Sequence, residues 1–347
     1  MQDISGGVAP SRRKPVTVLT GALGAGKTTL VSAVLSGGTG RKVGLIVNEV
    51  GEVSIDGQLL ATSGDRLLEL SSGCLCCSAA SDLRVALMTM AYADVDHILI
   101  ETTGLADPGP VVEAVAARSD RLRLDAVICV VDARSVRDQL ADHRTPQYKR
   151  QIELASTVVV SKADVAGAAR VTAAREQIAA LNADARVVTA VRGDIPAAEL
   201  FDLRAFAPSR VEETVVPARG KRRHRFTLGS RAAHPEVETV CAQTDRELDL
   251  EVTMQWLQGL MAFKGPDLNR VKGILAIAGL PHAVVIHGVL GYLESAPGRP
   301  WADGEPRSSA IVAIGHGLDQ QLWQAALEDC AAITPAPRRQ GSEYAAT

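Results

Sequence analysis

Aromatic residues are scarce in this chain, at 3% of its 347 residues. The core must therefore consist mainly of alanine, valine, leucine and isoleucine, and strands built from these residues are typical of parallel sheets covered by helices on both faces. Hydrophobic residues reach 46% and charged residues 22%, which excludes disorder as the main state. At about 150 residues per domain, the length indicates two domains.

Other features that the sequence lacks exclude further classes of protein. No run of eighteen apolar residues occurs, and the segment from Met1 to Pro15 has no apolar core of the kind found in secretory signals. We therefore expect a cytoplasmic protein without a membrane span. The net charge of −3 argues against a nucleic-acid-binding protein. The basic run from Arg219 to Arg225 has no interleaved aromatic platform, and we interpret it as a solvated linker.

Short β-branched runs alternate with helical segments through the first half of the chain. The runs are residues 16–20, 43–47, 97–101, 125–132, 157–161 and 186–189. Their order predicts a doubly wound, mostly parallel α/β sheet. The pattern then changes to strands at 236–244, 270–278, 283–289 and 310–314 and helices at 250–263 and 318–330, which predict a smaller α+β domain.

The change in pattern near Pro208 sets the predicted division of the chain. We expect a flexible N-terminus (1–14), an α/β domain (15–207), a linker (208–223), an α+β domain (224–333) and a disordered tail (334–347).

A phosphate-binding loop follows the first predicted strand. Residues 21–28 read Gly-Ala-Leu-Gly-Ala-Gly-Lys-Thr, which matches G-x-x-x-x-G-K-[ST], and they open a helix. The glycines allow successive backbone N–H groups to face phosphate oxygens, while the lysine holds the β and γ phosphates and the threonine hydroxyl binds Mg²⁺. The predicted nucleotide-binding residues of this segment are Gly21, Gly24, Ala25, Gly26, Lys27, Thr28 and Thr29.

A carboxylate at the end of a later strand completes the predicted magnesium site. The strand at 97–101 ends at Glu101 and runs into Thr102-Thr103-Gly104. Functional residues collect at the carboxyl ends of such strands, so Glu101 is expected to hold a Mg²⁺-bound water and the Gly104 N–H to meet the γ-phosphate. Lys27, Thr28 and Glu101 are thus the predicted catalytic residues of a nucleoside-triphosphate hydrolase. A strand-capping role for Glu101 is the alternative.

The segment Ser161-Lys162-Ala163-Asp164 is similar to the guanine motif N-K-x-D, with serine in place of asparagine. The carboxylate of Asp164 can accept hydrogen bonds from guanine N1–H and N2–H₂, which adenine does not offer at those positions. The aliphatic stem of Lys162 is expected to lie along the base. GTP and GDP are therefore the expected nucleotides. Because Ser161 replaces an amide that would brace the loop, we expect softened affinity or selectivity.

Half of the six cysteines fall within four positions, at Cys74, Cys76 and Cys77. Thiolates favour Zn²⁺ and other soft or borderline metals such as Co²⁺ or Ni²⁺, and a helix predicted to start just after them favours the ionised form. Three thiolates so close together do not easily bind one tetrahedral ion, so two of them with Glu49 or Glu52 form a more plausible, exchangeable site. A redox pair, a permanent zinc site and buried packing are the alternatives.

Taken together, these motifs resemble the CobW-type GTPases, in particular their YjiA-like branch, which are relatives of the UreG and HypB metal-centre assembly proteins. The matching segments are 21–30, 48–52, 73–77 and 101–108, with 270–273, Trp301 and 308–315 in the C-terminal part. The resemblance implies a GTP-hydrolysing metallochaperone or insertase that binds Zn²⁺ or another transition metal. It assigns the phosphate and Mg²⁺ roles to Lys27, Thr28 and Glu101, the guanine role to Asp164, and the metal role to Cys74, Cys76 and Cys77.

The chain also departs from the pattern of this family. Ser161 replaces the asparagine of the guanine motif, and Val47 stands where relatives can carry an acidic metal ligand. A histidine-rich stretch is absent, and His282, His287 and His316 are interpreted as structural residues or, alternatively, as extra ligands.

The expected mechanism is metal delivery gated by GTP. Loops between about residues 48 and 78 would order around the γ-phosphate and relax after a slow hydrolysis. The expected partners are a guanine nucleotide, a transition metal and an unidentified client metalloprotein, in a monomer or a homo-oligomer. The alternatives are a GTP- and metal-binding sensor with incidental hydrolysis and, disfavoured by the guanine motif, a small-molecule kinase that uses ATP.

Overall fold

The structure, a computed structural model, describes residues 13–49, 66–71, 78–104, 106–142, 146–209, 215–217, 224–226 and 238–332. Several predicted features therefore lie outside the described residues: Cys74, Cys76, Cys77, Glu52, the tail at 334–347 and all but the end of the N-terminal segment.

Seven strands form one parallel sheet in the order β3-β2-β4-β1-β5-β6-β7. They are β1 (Lys14–Thr20), β2 (Val43–Glu49), β3 (Arg66–Ser71), β4 (His97–Glu101), β5 (Leu122–Asp132), β6 (Thr157–Ser161) and β7 (Arg186–Thr189). The helices between them are α1 (Lys27–Ser36), α2 (Ser78–Tyr92), α3 (Gly109–Ala116), α4 (Val136–Ala141), α5 (Pro146–Leu154), α6 (Ala163–Ala166) and α7 (Ala168–Leu181).

Helices cover both faces of this sheet, as the aliphatic strands predict. Successive residues of a strand point to opposite faces. Val127 of β5 accordingly packs in a cluster with α2 and α3, whereas Ile128 packs in another cluster with α1. Both residues are fully buried, and the predicted doubly wound fold is confirmed.

A second sheet of five antiparallel strands follows, in the order β10-β14-β11-β12-β13. It contains β10 (Glu238–Thr244), β11 (Leu268–Leu275), β12 (His282–Val289), β13 (Tyr292–Pro300) and β14 (Ser309–Gly315), with helices α8 (Leu250–Lys264) and α9 (Gln320–Asp329). A separate hairpin joins β8 (Val215–Pro217) to β9 (His224–Phe226). The predicted smaller α+β part is confirmed.

The sequence analysis did not predict four of the strands or three of the helices, namely β3, β8, β9, β13, α3, α4 and α5. The strand β13 contains Pro297 and Pro300, residues that lack the N–H group needed inside a sheet. It lies at the edge of its sheet and pairs with β12 alone, so these prolines are tolerated there. β3 is likewise an edge strand, paired with β2.

The two sheets share apolar packing and an ion-pair cluster. Val112 of α3 and Tyr292 of β13 belong to the same buried cluster. Asp184, which precedes β7, lies 3.0 Å from Arg270 and 3.1 Å from Lys272 of β11. Burial would raise the pKa of Asp184, but the two cations outweigh burial and lower that pKa, so the carboxylate stays charged.

A buried carboxylate ties β5 to the segment that follows the last strand of the first sheet. The Oδ2 atom of Asp125 accepts a 2.8 Å hydrogen bond from the Leu203 N–H. Its Oδ1 atom accepts one of 3.1 Å from the Arg204 N–H and one of 2.6 Å from the Arg123 guanidinium. The Asp125 side chain is fully buried, so removing the carboxylate takes a buried, charged acceptor away from all three donors.

We therefore expect Asp125→Ala to lower the free energy of unfolding by about 3 kcal/mol, because it removes a fully buried, charged acceptor of three hydrogen bonds. Urea denaturation followed by far-ultraviolet circular dichroism measures this change. The matched control is Asp120→Ala, which removes an exposed carboxylate 3.8 Å from Arg121 and should cost less than about 1 kcal/mol. Equal losses in the two variants would contradict a structural role for Asp125.

Candidate nucleotide and metal site

The phosphate loop lies between the end of β1 at Thr20 and the start of α1 at Lys27. Gly21 has φ = 136°, and a Cβ atom there would lie 2.3 Å from the carbonyl oxygen of Val130. Because only glycine fits this close approach, the loop turns directly against β5.

Lys27 is held in a defined position by the loop itself. Its Nζ atom donates to the carbonyl oxygens of Gly21 at 2.8 Å and Ala22 at 3.3 Å. The residue is buried, and burial lowers the pKa of Lys27 while the nearby Glu101 carboxylate partly offsets that shift. A phosphate in this loop would thus meet a cation that is already oriented.

Thr28 and Glu101 are brought together although 73 residues separate them. The Thr28 Oγ1 atom donates to Glu101 Oε1 at 2.8 Å. This contact arises because β1 and β4 are parallel neighbours, with Leu19 paired to Glu101. Hard oxygen atoms beside a phosphate loop are the donors that Mg²⁺ prefers, so the residues fit that ion.

Gly104 lies directly against the phosphate loop. A Cβ atom on Gly104 would lie 2.4 Å from the backbone nitrogen of Leu23. The loop that follows β4 is therefore in contact with the segment expected to bind phosphate.

The Ser161 segment contacts the other side of the phosphate loop. The Ser161 Oγ atom donates to the carbonyl oxygen of Ala25 at 2.6 Å. Its neighbour Lys162, at φ = 57°, donates to the carbonyl oxygen of Gly24. The serine hydroxyl therefore braces the phosphate loop at the position where the guanine motif has an amide. The expectation of a softened affinity or selectivity for guanine nucleotides stays a prediction.

Asp164 is the second residue of the short helix α6 and is exposed at this edge of the sheet. Its Oδ2 atom lies 3.8 Å from Nε of Arg192, which follows β7. The carboxylate remains accessible to a ligand, as a guanine contact requires.

Asp132 is a residue of this site to which the sequence analysis gave no role. It ends β5, and its Oδ2 atom accepts hydrogen bonds of 2.9 Å from both Lys162 and Arg134. Burial would raise the pKa of Asp132, but these hydrogen bonds outweigh it and hold that pKa at about 2. The available signal was its position: a carboxylate at the end of a predicted strand, on the edge where the other site residues collect.

The predicted transition-metal site falls mostly outside the described residues. Glu49 ends β2, where its backbone pairs with Ser71 at the end of β3. The cysteine segment connects β3 to α2, which starts at Ser78. Within the described parts of the chain, no group of three or more histidine, cysteine, aspartate and glutamate side chains is arranged to hold a metal ion.

The three histidines considered as extra ligands lie in the second sheet or directly after it: His282 and His287 in β12, and His316 after β14. His287 is buried at the junction of the two sheets, with its ring centroid 5.5 Å from that of Phe206. Burial and the neighbouring Arg270 and Lys272 lower the pKa of His287 well below its usual value, so the ring is neutral. A structural role fits it better than metal binding.

The parallel sheet and its phosphate loop define the class as a P-loop nucleotide-binding protein with an added C-terminal domain. Residues 15–189 match the CobW/HypB/UreG nucleotide-binding domain, and residues 237–331 match the cobalamin synthesis protein cobW C-terminal domain. The chain belongs to the CobW/HypB/UreG family, which confirms the resemblance seen in its motifs.

None of the described helices is both long and apolar enough to cross a membrane.

The similar proteins cover most of the chain. It is 34% identical to the zinc chaperone YjiA of Escherichia coli, over 90% of this chain and 96% of that protein. It is 33% identical to the zinc chaperone CobW of Pseudomonas aeruginosa, over 88% of each chain. The crystal structure of the Zn(II)-bound YjiA GTPase from E. coli aligns with a TM-score of 0.60 and 28% identity, over 92% of this chain and 99% of that one.

The contact between Asp132 and Lys162 generates a first prediction for this site. We expect Asp132→Asn to weaken the binding of a fluorescent GDP analogue roughly tenfold, because Lys162 loses the charge that holds it beside the phosphate loop. The folded-state pKa is depressed, so the carboxylate is charged at every pH well above about 2. The difference from the wild type should therefore be the same at about pH 5 and pH 8.

Asp120→Asn is the matched control, because Asp120 is an exposed carboxylate that precedes β5, at the opposite end of that strand from Asp132. If both variants bind the analogue like the wild type, Asp132 has no part in the site.

Proposed function

We propose that this protein is a GTP-hydrolysing metallochaperone that binds Zn²⁺, or another transition metal, through its Cys-x-Cys-Cys segment and delivers it to a client metalloprotein. The observation that carries the nucleotide half is the 2.8 Å hydrogen bond from Thr28 to Glu101, which joins the phosphate loop to a strand-end carboxylate. The relatives support the metal half, since YjiA and CobW are named zinc chaperones and a YjiA GTPase crystallised with Zn(II).

In this proposal the phosphates of GTP bind within residues 21–29. Lys27, already oriented by two carbonyl groups, neutralises charge on the β and γ phosphates. Thr28 and Glu101 would hold Mg²⁺, which when bound supplies positive charge for the transferring phosphoryl group. Gly104 offers its backbone to the γ-phosphate from the opposite side. Since no water-orienting residue identifies itself in the sequence, we expect a slow intrinsic rate.

The base is proposed to bind at the ends of β5 and β6. Asp164 would accept hydrogen bonds from guanine, and the Lys162 stem would lie along the ring. Lys162 is well placed for this, because Asp132 and the Gly24 carbonyl fix its ammonium group beside the phosphate loop.

The position of the cysteine segment supports coupling between metal and nucleotide. β3 is parallel to β2, β4 and β1, so it ends at the same edge of the sheet as the phosphate loop. It lies three strands from β1, or roughly 14 Å at the usual strand spacing. Because Glu49 pairs with Ser71, three residues before Cys74, its backbone lies close to the start of this segment. We propose Cys74, Cys76 and Cys77, with Glu49 and Glu52, as the ligand set.

The rest of the assignment follows from the same proposal. The nucleotide-binding domain would span residues 15–207 and the C-terminal domain residues 224–333, in a protein that acts in the cytoplasm on a client still to be identified. Linkage requires that if GTP changes the affinity for metal, metal changes the affinity for GTP by the same factor.

Nucleotide selectivity tests the guanine assignment and separates it from the ATP-dependent kinase. We expect wild-type protein to hydrolyse GTP in preference to ATP. Asp164→Ala should weaken GTP binding roughly a hundredfold and leave the weak ATP binding unchanged, because two charge-assisted hydrogen bonds to guanine are lost. Phosphate release and equilibrium titration with both nucleotides measure this.

Glu176→Ala, which removes an exposed carboxylate of α7, is the control and should bind GTP like the wild type. Equal hydrolysis of ATP and GTP by the wild type would refute the guanine assignment.

A paired Zn²⁺ titration tests the metal assignment. We expect different Zn²⁺ affinities for protein loaded with GDP and with a non-hydrolysable GTP analogue, and a loss of about tenfold or more in Cys76→Ser, because a thiolate ligand is removed. Cys241→Ser is the matched control, since Cys241 is a free, half-buried cysteine of the second sheet.

Equal affinities in the two nucleotide states would contradict gating, and an unchanged affinity in Cys76→Ser would move the site away from the motif. Transfer of Zn²⁺ to a metal-free client separates a chaperone from a sensor, which would bind metal and GTP without transfer.

A further inference from the structure

A fully buried glutamine on α5 contacts the loop that follows β4. Gln151 has no exposed surface. Its Nε2 atom donates to the carbonyl oxygen of Ala106 at 2.8 Å and lies 3.4 Å from that of Gly104. Its Oε1 atom is buried without a hydrogen-bond partner among the described residues. Burying an amide that is only half satisfied is costly, so this side chain is a poor choice for packing alone.

The same loop is held from its other side by the phosphate loop. Gly104 lies so close to Leu23 that a Cβ atom would come within 2.4 Å of the Leu23 nitrogen. The Ala106 N–H also donates to the Thr103 carbonyl at 3.1 Å. Gly104 and Ala106 are therefore held between the phosphate loop and α5.

A neighbouring residue of α5 holds the end of this loop. The Nε atom of Arg150 donates to Asp107 Oδ2 at 2.8 Å, and Asp107 Oδ1 accepts a 2.8 Å hydrogen bond from the Gly109 N–H at the start of α3. The loop is thus attached to α5 by two successive side chains, one neutral and buried and one charged and partly exposed.

We infer that Gln151 is a positioning residue for recognition of the γ-phosphate. It holds Gly104 and Ala106 against the phosphate loop, so that the site distinguishes a nucleoside triphosphate from a diphosphate. The inference rests on the proposed function, in which Gly104 meets the γ-phosphate. GDP is held by residues 21–29 and by the Ser161–Asp164 segment, and no hydrogen bond joins Gln151 to these among the described residues.

The expected signature is a change in the ratio of GTP to GDP affinity. Gln151→Leu keeps most of the side-chain volume and removes the donor. We expect it to weaken binding of a non-hydrolysable GTP analogue roughly tenfold, the effect of one lost buried hydrogen bond, and to leave GDP affinity unchanged. Single-turnover hydrolysis of GTP should slow in the same variant. If Gln151→Leu does not fold, Gln151→Asn carries the same test, because it keeps an amide but shortens the side chain by one methylene.

Asn182→Ala is the matched control, because it loosens the attachment of α5 without removing the Gln151 hydrogen bonds. The Asn182 side chain donates to the carbonyl oxygens of Ile152, Glu153 and Ala155 at the end of that helix, at 2.8 to 3.0 Å, and none of these hydrogen bonds is to Gly104 or Ala106. We expect this variant to melt at a lower temperature with an unchanged ratio of GTP to GDP affinity.

Two results would overturn the inference: an unchanged affinity ratio in the Gln151 variants, or the same altered ratio in Asn182→Ala. Failure of the proposed function looks different, because wild-type protein would then show no binding of GTP or GDP at all.

Discussion

The seven strands of the first sheet are all parallel, and the site depends on this constraint. Parallel neighbours end at one edge, so residues far apart in the chain meet there. The pairing of Leu19 with Glu101 brings a carboxylate to the phosphate loop, and the pairing of Asp132 with Ser161 places the base segment beside β5. An antiparallel pairing at any of these positions would send one partner to the opposite edge.

Backbone carbonyl groups of the phosphate loop are bound by side chains from several elements. Lys27 binds the carbonyl of Gly21, Lys162 that of Gly24 and Ser161 that of Ala25. These contacts orient the loop before a ligand arrives, so less ordering remains to be done on binding. They also show what the serine does at the position where the guanine motif has asparagine: its hydroxyl donates to the Ala25 carbonyl at 2.6 Å.

The nucleotide loops are also joined to the second sheet. The helix α3 starts five residues after Gly104, and its Val112 shares a buried cluster with Leu290 and Tyr292. Across the same junction, Asp184 binds Arg270 and Lys272. The C-terminal domain therefore packs on the helix that follows the loop expected to meet the γ-phosphate. The proposed coupling of nucleotide state to metal delivery would therefore have a direct structural route from that loop to the second domain.

The sequence by itself determined the parallel α/β fold, the phosphate loop and the strand-end position of Glu101, because each depends on a pattern confined to a few neighbouring residues. Tertiary structure alone decided which distant groups meet. The pairing of Lys162 with Asp132 and the contacts of Gln151 with Gly104 and Ala106 join segments 30 to 47 positions apart in the chain. The strand β13 was likewise not predictable from its sequence, which contains two prolines. It forms because β12 pairs with it on one side and leaves its other side free of backbone pairing in the described sheet. No local pattern encodes such contacts, since each arises from the packing of complete elements.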